Sequence, residues 1–167
     1  YNKYTKYLTQ FAFCCKLPPN NCTAMRSLFL LICFVLLTTC SGDSVDNPNC
    51  KFLLNVGVNL TINLSLPQYS QLEFAGNAVY IANYGNGGII VASLGNNQYF
   101  AWDASDPNHT PSSCSVLEIS GLEGTCGCTD HNKYSLVNGQ PLANASLQCA
   151  LKNYRVEQSG NSLLISN

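Results

Sequence analysis

The sequence predicts an all-β domain, a small antiparallel sandwich or barrel, and three observations support this class. Apolar and polar residues alternate strictly from Val56 to Leu66, which is typical of a strand with one buried face. Shorter apolar runs follow and are separated by turn signals rich in Gly and Asn. No stretch shows a convincing helical period or helix cap. Many short strands at this spacing favour a sandwich or a barrel.

The individual strands are predicted from these runs in chain order. The first strand ends before Pro67, because proline cannot donate a hydrogen bond to a ladder. Turns are expected at residues 83–87, 95–97 and 159–161, where Gly and Asn cluster. Further strands are expected in the short apolar runs Ala78–Ala82, Gly88–Leu94, Gln98–Trp102, Ser115–Ile119, Tyr134–Val137, Ala150–Val156 and Ser162–Ile165.

The segment before the β region carries an export pattern. Met25, the one methionine of the chain, precedes Arg26 and an apolar run at Leu28–Leu37. That run is too short to cross a bilayer as a stable helix. It leads to a Leu-Thr-Thr-Cys sequence ending at Cys40, which resembles a bacterial lipoprotein signal that is cut before a cysteine to be acylated. An ordinary signal peptide or a short core helix is the alternative interpretation.

The export pattern divides the chain into four parts. We expect residues 1–24 to be a leader upstream of the true start, 25–39 a lipoprotein signal peptide, 40–50 a flexible tether and 51–167 the β domain. The protein is then expected in the bacterial cell envelope, on the periplasmic or outer-membrane face. A lipid anchor on Cys40 would hold it to the membrane.

Charge and cysteine content agree with an exported domain. From Cys40 onward the chain has four basic and nine acidic residues, a formal charge of −5, and retains six of the ten cysteines. Cysteines of an exported chain meet an oxidising compartment, where disulfides persist. Nucleic acid is not expected as a partner, because binding phosphates requires clustered Lys and Arg. No nucleophile–base pair, carboxylate dyad or phosphate loop indicates an enzyme.

Two loop-like stretches, Ala101–Cys114 and Cys126–Gly139, are rich in Cys, His, Asp and Pro. With the downstream run to Ile165 they resemble the Rieske family, in which a Cys-x-His pair and a later Cys-x-x-His pair hold a [2Fe–2S] cluster. The resemblance implies a Rieske-type β domain with two cluster-binding-like loops. The positions equivalent to the cluster ligands, with 17 residues between the second and the third, are Asp106, Asn108, Cys126 and Thr129.

Three of these four positions carry the wrong residue type. A Rieske centre needs two thiolates on one iron and two imidazoles on the other, and only Cys126 matches. The Asp106 carboxylate can in principle bind iron, but Asn108 and the Thr129 hydroxyl are poor ligands. We therefore predict no cofactor and a structural or interaction module that contacts an envelope protein. The alternative is a [2Fe–2S] electron-transfer protein with atypical ligands and a redox partner.

A shifted alignment of the same loops stays open. Cys128 and His131 form a literal Cys-x-x-His, and 18 residues separate His109 from Cys128. This frame supplies one thiolate and two imidazoles as metal ligands, but it puts Pro107 where the first cysteine belongs. Zinc bound by the two histidines and cysteines is also chemically allowed. The simplest interpretation is that both histidines are ordinary polar loop residues.

The resemblance also implies a disulfide between the two loops. High-potential Rieske proteins join their cluster loops in this way, and Cys128 occupies the second-loop position, with Cys114 at the end of the first loop. Cys114–Cys126 is a close alternative. Cys50 and Cys149 are candidates for a second bridge, which leaves an odd thiol, and the sequence does not fix the connectivity.

Overall fold

The fold is that of a computed structural model, which describes residues 50–142 and 146–167. The expected leader at 1–24, the signal peptide at 25–39 and the lipid-anchor residue Cys40 lie outside the described residues. In the described part, no helix is long and apolar enough to span a membrane.

The described residues form nine strands in two antiparallel sheets, and the predicted all-β class is confirmed. The larger sheet has the order β1-β9-β8-β4-β3-β2 and the smaller one the order β5-β6-β7. A short 3-10 helix, Pro67–Glu73, follows β1. The strands are β1 (Asn59–Asn63), β2 (Ala78–Ile81), β3 (Ile89–Gly95), β4 (Gln98–Asp103), β5 (Leu117–Ser120), β6 (Glu123–Cys126), β7 (Lys133–Ser135), β8 (Asn153–Ser159) and β9 (Ser162–Ser166).

Strand β1 shows why strict alternation predicts a half-buried strand. Leu60 and Ile62 are buried while the polar residues between them face solvent. Leu60 lies opposite Ile165 of β9, so both strands contribute to one apolar core. Burying an aliphatic side chain of this size contributes about 1.5–3 kcal/mol. The strand is shorter than the sequence pattern, because Val56 and Leu66 at the two ends of the pattern are exposed.

Tight turns connect the long hairpins where the sequence predicts them. Between β3 and β4, Asn96 and Asn97 have φ values of 50° and 59°. Asparagine tolerates this left-handed region better than most residues, so the turn matches the twist of the flanking strands. Gly160, at φ 57°, serves the same purpose between β8 and β9.

A second apolar core lies between the sheets and fixes the loops of interest. Trp102 of β4 and Leu136 belong to this core, and the Trp102 indole N–H donates to the Leu136 carbonyl at 2.8 Å. Loop 1 (residues 104–116) leaves β4 at this point, and a bridge between Ser105 and Val116 closes its base. Loop 2 (residues 127–132) connects β6 to β7. The core therefore anchors both stretches that resemble cluster-binding loops.

Candidate functional site

Asp106, at the first ligand-equivalent position, is a wholly buried carboxylate in loop 1. Its Oδ1 accepts hydrogen bonds from the Asn108 backbone N–H, at 2.8 Å, and from the Tyr134 hydroxyl. Its Oδ2 accepts a bond from the Asn132 side-chain amide, also at 2.8 Å. We call these four residues the Asp106 network. It connects loop 1 to loop 2 and to β7 through buried polar contacts.

Asn108, at the second ligand-equivalent position, binds the main chain of a third segment. Its Oδ1 accepts bonds from the backbone N–H groups of Gln148 at 3.2 Å and Cys149 at 3.0 Å. Its amide donates to the Cys149 carbonyl at 2.7 Å and to the Tyr134 hydroxyl at 2.8 Å. The side chain thus acts as a clamp on residues 148–149, and its polar atoms are already occupied.

Cys126 and Thr129, at the remaining positions, lie in different environments. Cys126 is buried at the end of β6, and its thiol donates a long bond of 3.8 Å to the Cys114 carbonyl. Burial, and then the adjacent Asp106 carboxyl group, raise the pKa of the Cys126 thiol to about 12. The thiol of Cys126 therefore keeps its proton to higher pH than an exposed cysteine does. Thr129 is exposed on loop 2.

Tyr134 remains a donor because of the same surroundings. Its side chain is wholly buried, and burial followed by the hydrogen bond to Asp106 raises the pKa of its hydroxyl. The O–H of a phenol forms a stronger hydrogen bond with a carboxylate oxygen than with a neutral acceptor, because such a bond is charge-assisted. Tyr134 was predicted on a strand and was not identified as a site residue from the sequence.

Two disulfides connect described cysteines. Cys114–Cys128 joins loop 1 to loop 2, and Cys50–Cys149 joins residues that are 99 positions apart. Both pairings agree with the bridges expected from the sequence. The alternative pairing Cys114–Cys126 is wrong, because Cys126 is the free cysteine of the described part.

The residues of the shifted alignment are only partly brought together. His109 and Cys128 are close, with 3.9 Å between the His109 Nδ1 and the Cys128 Sγ, and Asp130 offers a third ligand atom nearby. These three ligand atoms lie within 4.8 Å of one another. The described part contains one other group of this kind, Asp106, Cys126 and Asp130, and His131 belongs to neither group. It is exposed and has a φ of 46°.

The ligand-equivalent residues do not fit a Rieske cluster. The cluster requires two thiolates and two imidazoles, whereas these positions offer one cysteine, one exposed hydroxyl, a carboxylate and an amide. The carboxylate of Asp106 and the amide of Asn108 already have their partners. Among the described residues, no buried side-chain nitrogen or oxygen lacks a hydrogen bond. The donor set is that of a self-contained hydrogen-bond network.

A second buried carboxylate, Asp103, was not identified from the sequence. It ends β4 and accepts bonds from Asn86, Gly87, Ser105 and Tyr154, a set that we call the Asp103 network. Three of its five bonds come from backbone N–H groups. The stretch at residues 83–87, expected to be a turn, is the loop that wraps around this carboxylate. Its burial depends on tertiary contacts, which no local pattern signals.

Comparison with known proteins gives matches among solved structures only. No family model and no curated protein matches the chain. A chain of the complex of reduced oxygenase and oxidised ferredoxin in carbazole 1,9a-dioxygenase is 13% identical, with 68% of this chain and 94% of that chain covered and a TM-score of 0.44.

Two further matches are of the same kind. The carbazole 1,9a-dioxygenase ferredoxin from Nocardioides aromaticivorans IC177 is 16% identical, with 66% of this chain and 96% of that chain covered and a TM-score of 0.40. A putative NADH-dependent nitrite reductase small subunit from Mycobacterium tuberculosis is 14% identical, with 68% and 97% covered and a TM-score of 0.41. These neighbours are thus a chain of an oxygenase–ferredoxin complex, a ferredoxin and a nitrite reductase small subunit, and the chain is similar to them in fold. At TM-scores below 0.5 the likeness decides nothing about cofactor or partner.

Proposed function

We propose that the chain is a Rieske-like domain that works without a [2Fe–2S] cluster, as a structural or interaction module of the bacterial cell envelope. One observation carries this proposal. At the first ligand-equivalent position, Asp106 is a buried carboxylate whose two oxygens accept bonds from Asn108, Asn132 and Tyr134. The space that a cluster would bridge between two loops is bridged by hydrogen bonds and a disulfide.

Metal binding by Asp106 would have to compete with these bonds. A hydrogen bond to a charged group contributes about 1.5–3 kcal/mol, so an iron ion would replace donors that are already strong. The imidazoles that a Rieske iron needs are also missing, because Asn108 clamps residues 148–149 and Thr129 is a hydroxyl. Electron transfer through a cluster, the role that the word ferredoxin in the neighbours' names implies, is the competing function.

Anaerobic reconstitution with iron and sulfide separates the two functions. The protein is assayed for iron and sulfide and scanned for visible absorption, as isolated and after reconstitution. We expect a colourless protein without stoichiometric iron in both states. A Rieske-type spectrum that is abolished by Cys126→Ser would contradict the proposal, because Cys126 is the one residue that retains its ligand type.

Export and anchoring form a separate part of the proposal, supported by the Leu-Thr-Thr-Cys sequence and the formal charge of −5 after it. Two disulfides also agree with an oxidising compartment. We expect Cys40→Ala to release the protein from the membrane fraction of a bacterial host. Cys33→Ala, a matched change inside the apolar run, should leave it there. Membrane retention of the Cys40→Ala variant would show that no lipid on Cys40 is needed.

A further inference from the structure

The disulfide between the loops lies beside two further metal-ligating side chains. The His109 Nδ1 is 3.9 Å from the Cys128 Sγ, and a carboxylate oxygen of Asp130 lies within 4.8 Å of both. The Cys114 sulfur is bonded to the Cys128 sulfur and so lies next to this group, although it is not one of the three atoms that lie within 4.8 Å of one another. None of these four residues is one of the ligand-equivalent positions Asp106, Asn108, Cys126 and Thr129. The cluster adjoins the Asp106 network at one point, where the Asn132 side-chain amide donates to the Asp130 carboxylate at 3.0 Å.

We propose that reducing the Cys114–Cys128 disulfide creates a zinc site formed by Cys114, Cys128, His109 and Asp130. Zn²⁺ prefers four ligands in a tetrahedron drawn from thiolate, imidazole and carboxylate, which is the set present. In the oxidised form both sulfurs are bonded to each other and neither is a thiolate, so the site is closed to metal. The bridge thus acts as a redox switch for cation binding.

The distances are compatible with this coordination. With Zn–S bonds of about 2.3 Å and Zn–N bonds of about 2.0 Å, tetrahedral geometry separates sulfur and nitrogen ligands by about 3.5 Å. The distance of 3.9 Å between Cys128 Sγ and His109 Nδ1 is close to this value. The His109 Nδ1 now donates to the Thr110 carbonyl at 2.7 Å, and metal binding at this atom would displace that proton.

A dithiol can supply the two electrons of the reduction step. One thiolate of the reductant attacks the Sγ of Cys114, which is exposed, and the Cys128 sulfur leaves as a thiolate beside His109. The second thiol of the reductant then attacks the mixed disulfide and releases Cys114 as a thiol. Two electrons pass to the protein and the reductant becomes a disulfide. Cys126 is buried and is not part of the bridge.

Cobalt binding to the full chain tests the proposal, with Co²⁺ as the spectroscopic probe for zinc. The chain is reduced anaerobically with a phosphine, desalted and titrated with Co²⁺ while thiolate-to-cobalt absorption is recorded. The reduced protein should bind one more Co²⁺ than the reduced Cys114→Ser/Cys128→Ser variant, and the oxidised forms should not differ. Cysteines elsewhere in the chain contribute equally to both proteins and cancel in the comparison.

The chain has two histidines, which supply a matched pair of variants. His109→Ala should weaken the additional Co²⁺ site at least about tenfold, whereas His131→Ala should leave it unchanged. Equal binding by the two variants would overturn the proposal. So would loss of the site in Cys126→Ser with His109→Ala unaffected, because the metal would then lie at the Rieske ligand position.

A single variant avoids any dependence on the stability of the reduced chain. Cys114→Ser frees the Cys128 thiol without a reductant and leaves Cys50–Cys149 intact. Oxidised Cys114→Ser should show a cobalt–thiolate band that the oxidised Cys114→Ser/Cys128→Ser variant lacks. Absence of that band would contradict the assignment of Cys128 as a ligand.

Discussion

Two buried carboxylates three residues apart, Asp103 and Asp106, support different regions of the molecule. Both are wholly buried and both accept a bond from a buried tyrosine hydroxyl, Tyr154 for Asp103 and Tyr134 for Asp106. Asp103 stabilises the larger sheet and the turn at residues 83–87. Asp106 joins the two loops. The two sites differ in their remaining donors, because Asp103 has three backbone N–H partners and Asp106 has one.

This difference separates a fixed site from an adaptable one. Backbone N–H groups can only donate hydrogen bonds. Those around Asp103 therefore require two acceptor oxygens at this position, which a carboxylate provides. A side-chain amide such as that of Asn132 can exchange donor for acceptor by rotating, although Asn132 would then lose its bond to Asp130. The surroundings of Asp106 are therefore more adaptable than the backbone N–H groups around Asp103. A ligand-equivalent position surrounded by side chains can therefore change its residue type without rebuilding the backbone around it.

Replacing Asp103 should have the largest effect. In Asp103→Asn an NH₂ group replaces one carboxylate oxygen. At the place of Oδ2 its N–H groups face the backbone N–H of Asn86, and at the place of Oδ1 they face those of Gly87 and Ser105. We expect the free energy of unfolding to fall by at least about 3 kcal/mol, measured by urea denaturation. Glu118→Gln, at an exposed position of β5, is the control and should change stability by less than about 0.5 kcal/mol.

The packing of the turn around Asp103 can be tested without replacing Asp103 itself. A Cβ at Gly85 would lie 2.6 Å from the Asp103 Oδ2, and the position has a φ of 61°. Gly160 has nearly the same φ, 57°, and nothing within 4 Å of the added atom. Both Ala variants carry the left-handed strain of about 1–2 kcal/mol, but Gly85→Ala should lose more stability because of the clash. Equal losses would show that the Asp103 network is not tightly packed.

Replacing Asp106 should cost less than replacing Asp103. In Asp106→Asn the new amide faces the Asn132 side chain, which can present its oxygen as an acceptor if it gives up its bond to Asp130. We expect a loss of about 2 kcal/mol in the free energy of unfolding, measured by the same denaturation. A loss as large as that of Asp103→Asn would mean that the two sites are equally fixed.

Alkaline pH should affect the two regions unequally. The folded pKa values of Cys126, Tyr134 and Tyr154 are raised above the ordinary values of 9.0 for the thiol and 10.0 for the tyrosines. Their contribution to stability is complete below about pH 9 and is lost as pH rises, by up to about 1.4 kcal/mol per pH unit for each group. Denaturation at several pH values should show this slope.

Variants of the three residues show how much of the loss of stability with pH comes from each region. Cys126→Ser should remove the part that begins near pH 9, since its thiol has the lowest ordinary pKa of the three. Tyr134→Phe and Tyr154→Phe should flatten the part above pH 10. The loop region contains two of the three groups, so its variants together should flatten the slope more than Tyr154→Phe alone.

Local patterns predicted the fold class and most strands, because alternation and Gly/Asn turns are encoded in neighbouring residues. Strand β6 escaped prediction, since Glu123–Cys126 reads Glu-Gly-Thr-Cys and has no apolar alternation. The 3-10 helix was also missed, although Pro67, the residue taken as the end of the first strand, occupies the first turn of that helix.

The sequence indicated which two loops form the candidate site, but it did not indicate the hydrogen bonds between their side chains. The resemblance implied the Cys114–Cys128 bridge, and Cys50–Cys149 was a candidate pair that the structure contains. The ligand-equivalent positions remain a prediction from the resemblance. The partners of Asp106 did not, because Tyr134 and Asn132 reach it from 28 and 26 residues away in the sequence. Burial of a carboxylate depends on tertiary contacts of this kind, which a linear pattern does not contain.

A double-mutant cycle between Asp106 and Tyr134 tests the central claim most directly. The claim is that a buried hydrogen-bond network joins the two loops where a Rieske domain has its cluster. The free energies of unfolding of Asp106→Ala, Tyr134→Phe and the double variant are compared with that of the unmodified protein. We predict a coupling energy of at least about 1 kcal/mol, because the two side chains share a charge-assisted bond. Additivity within about 0.3–0.5 kcal/mol would contradict the claim.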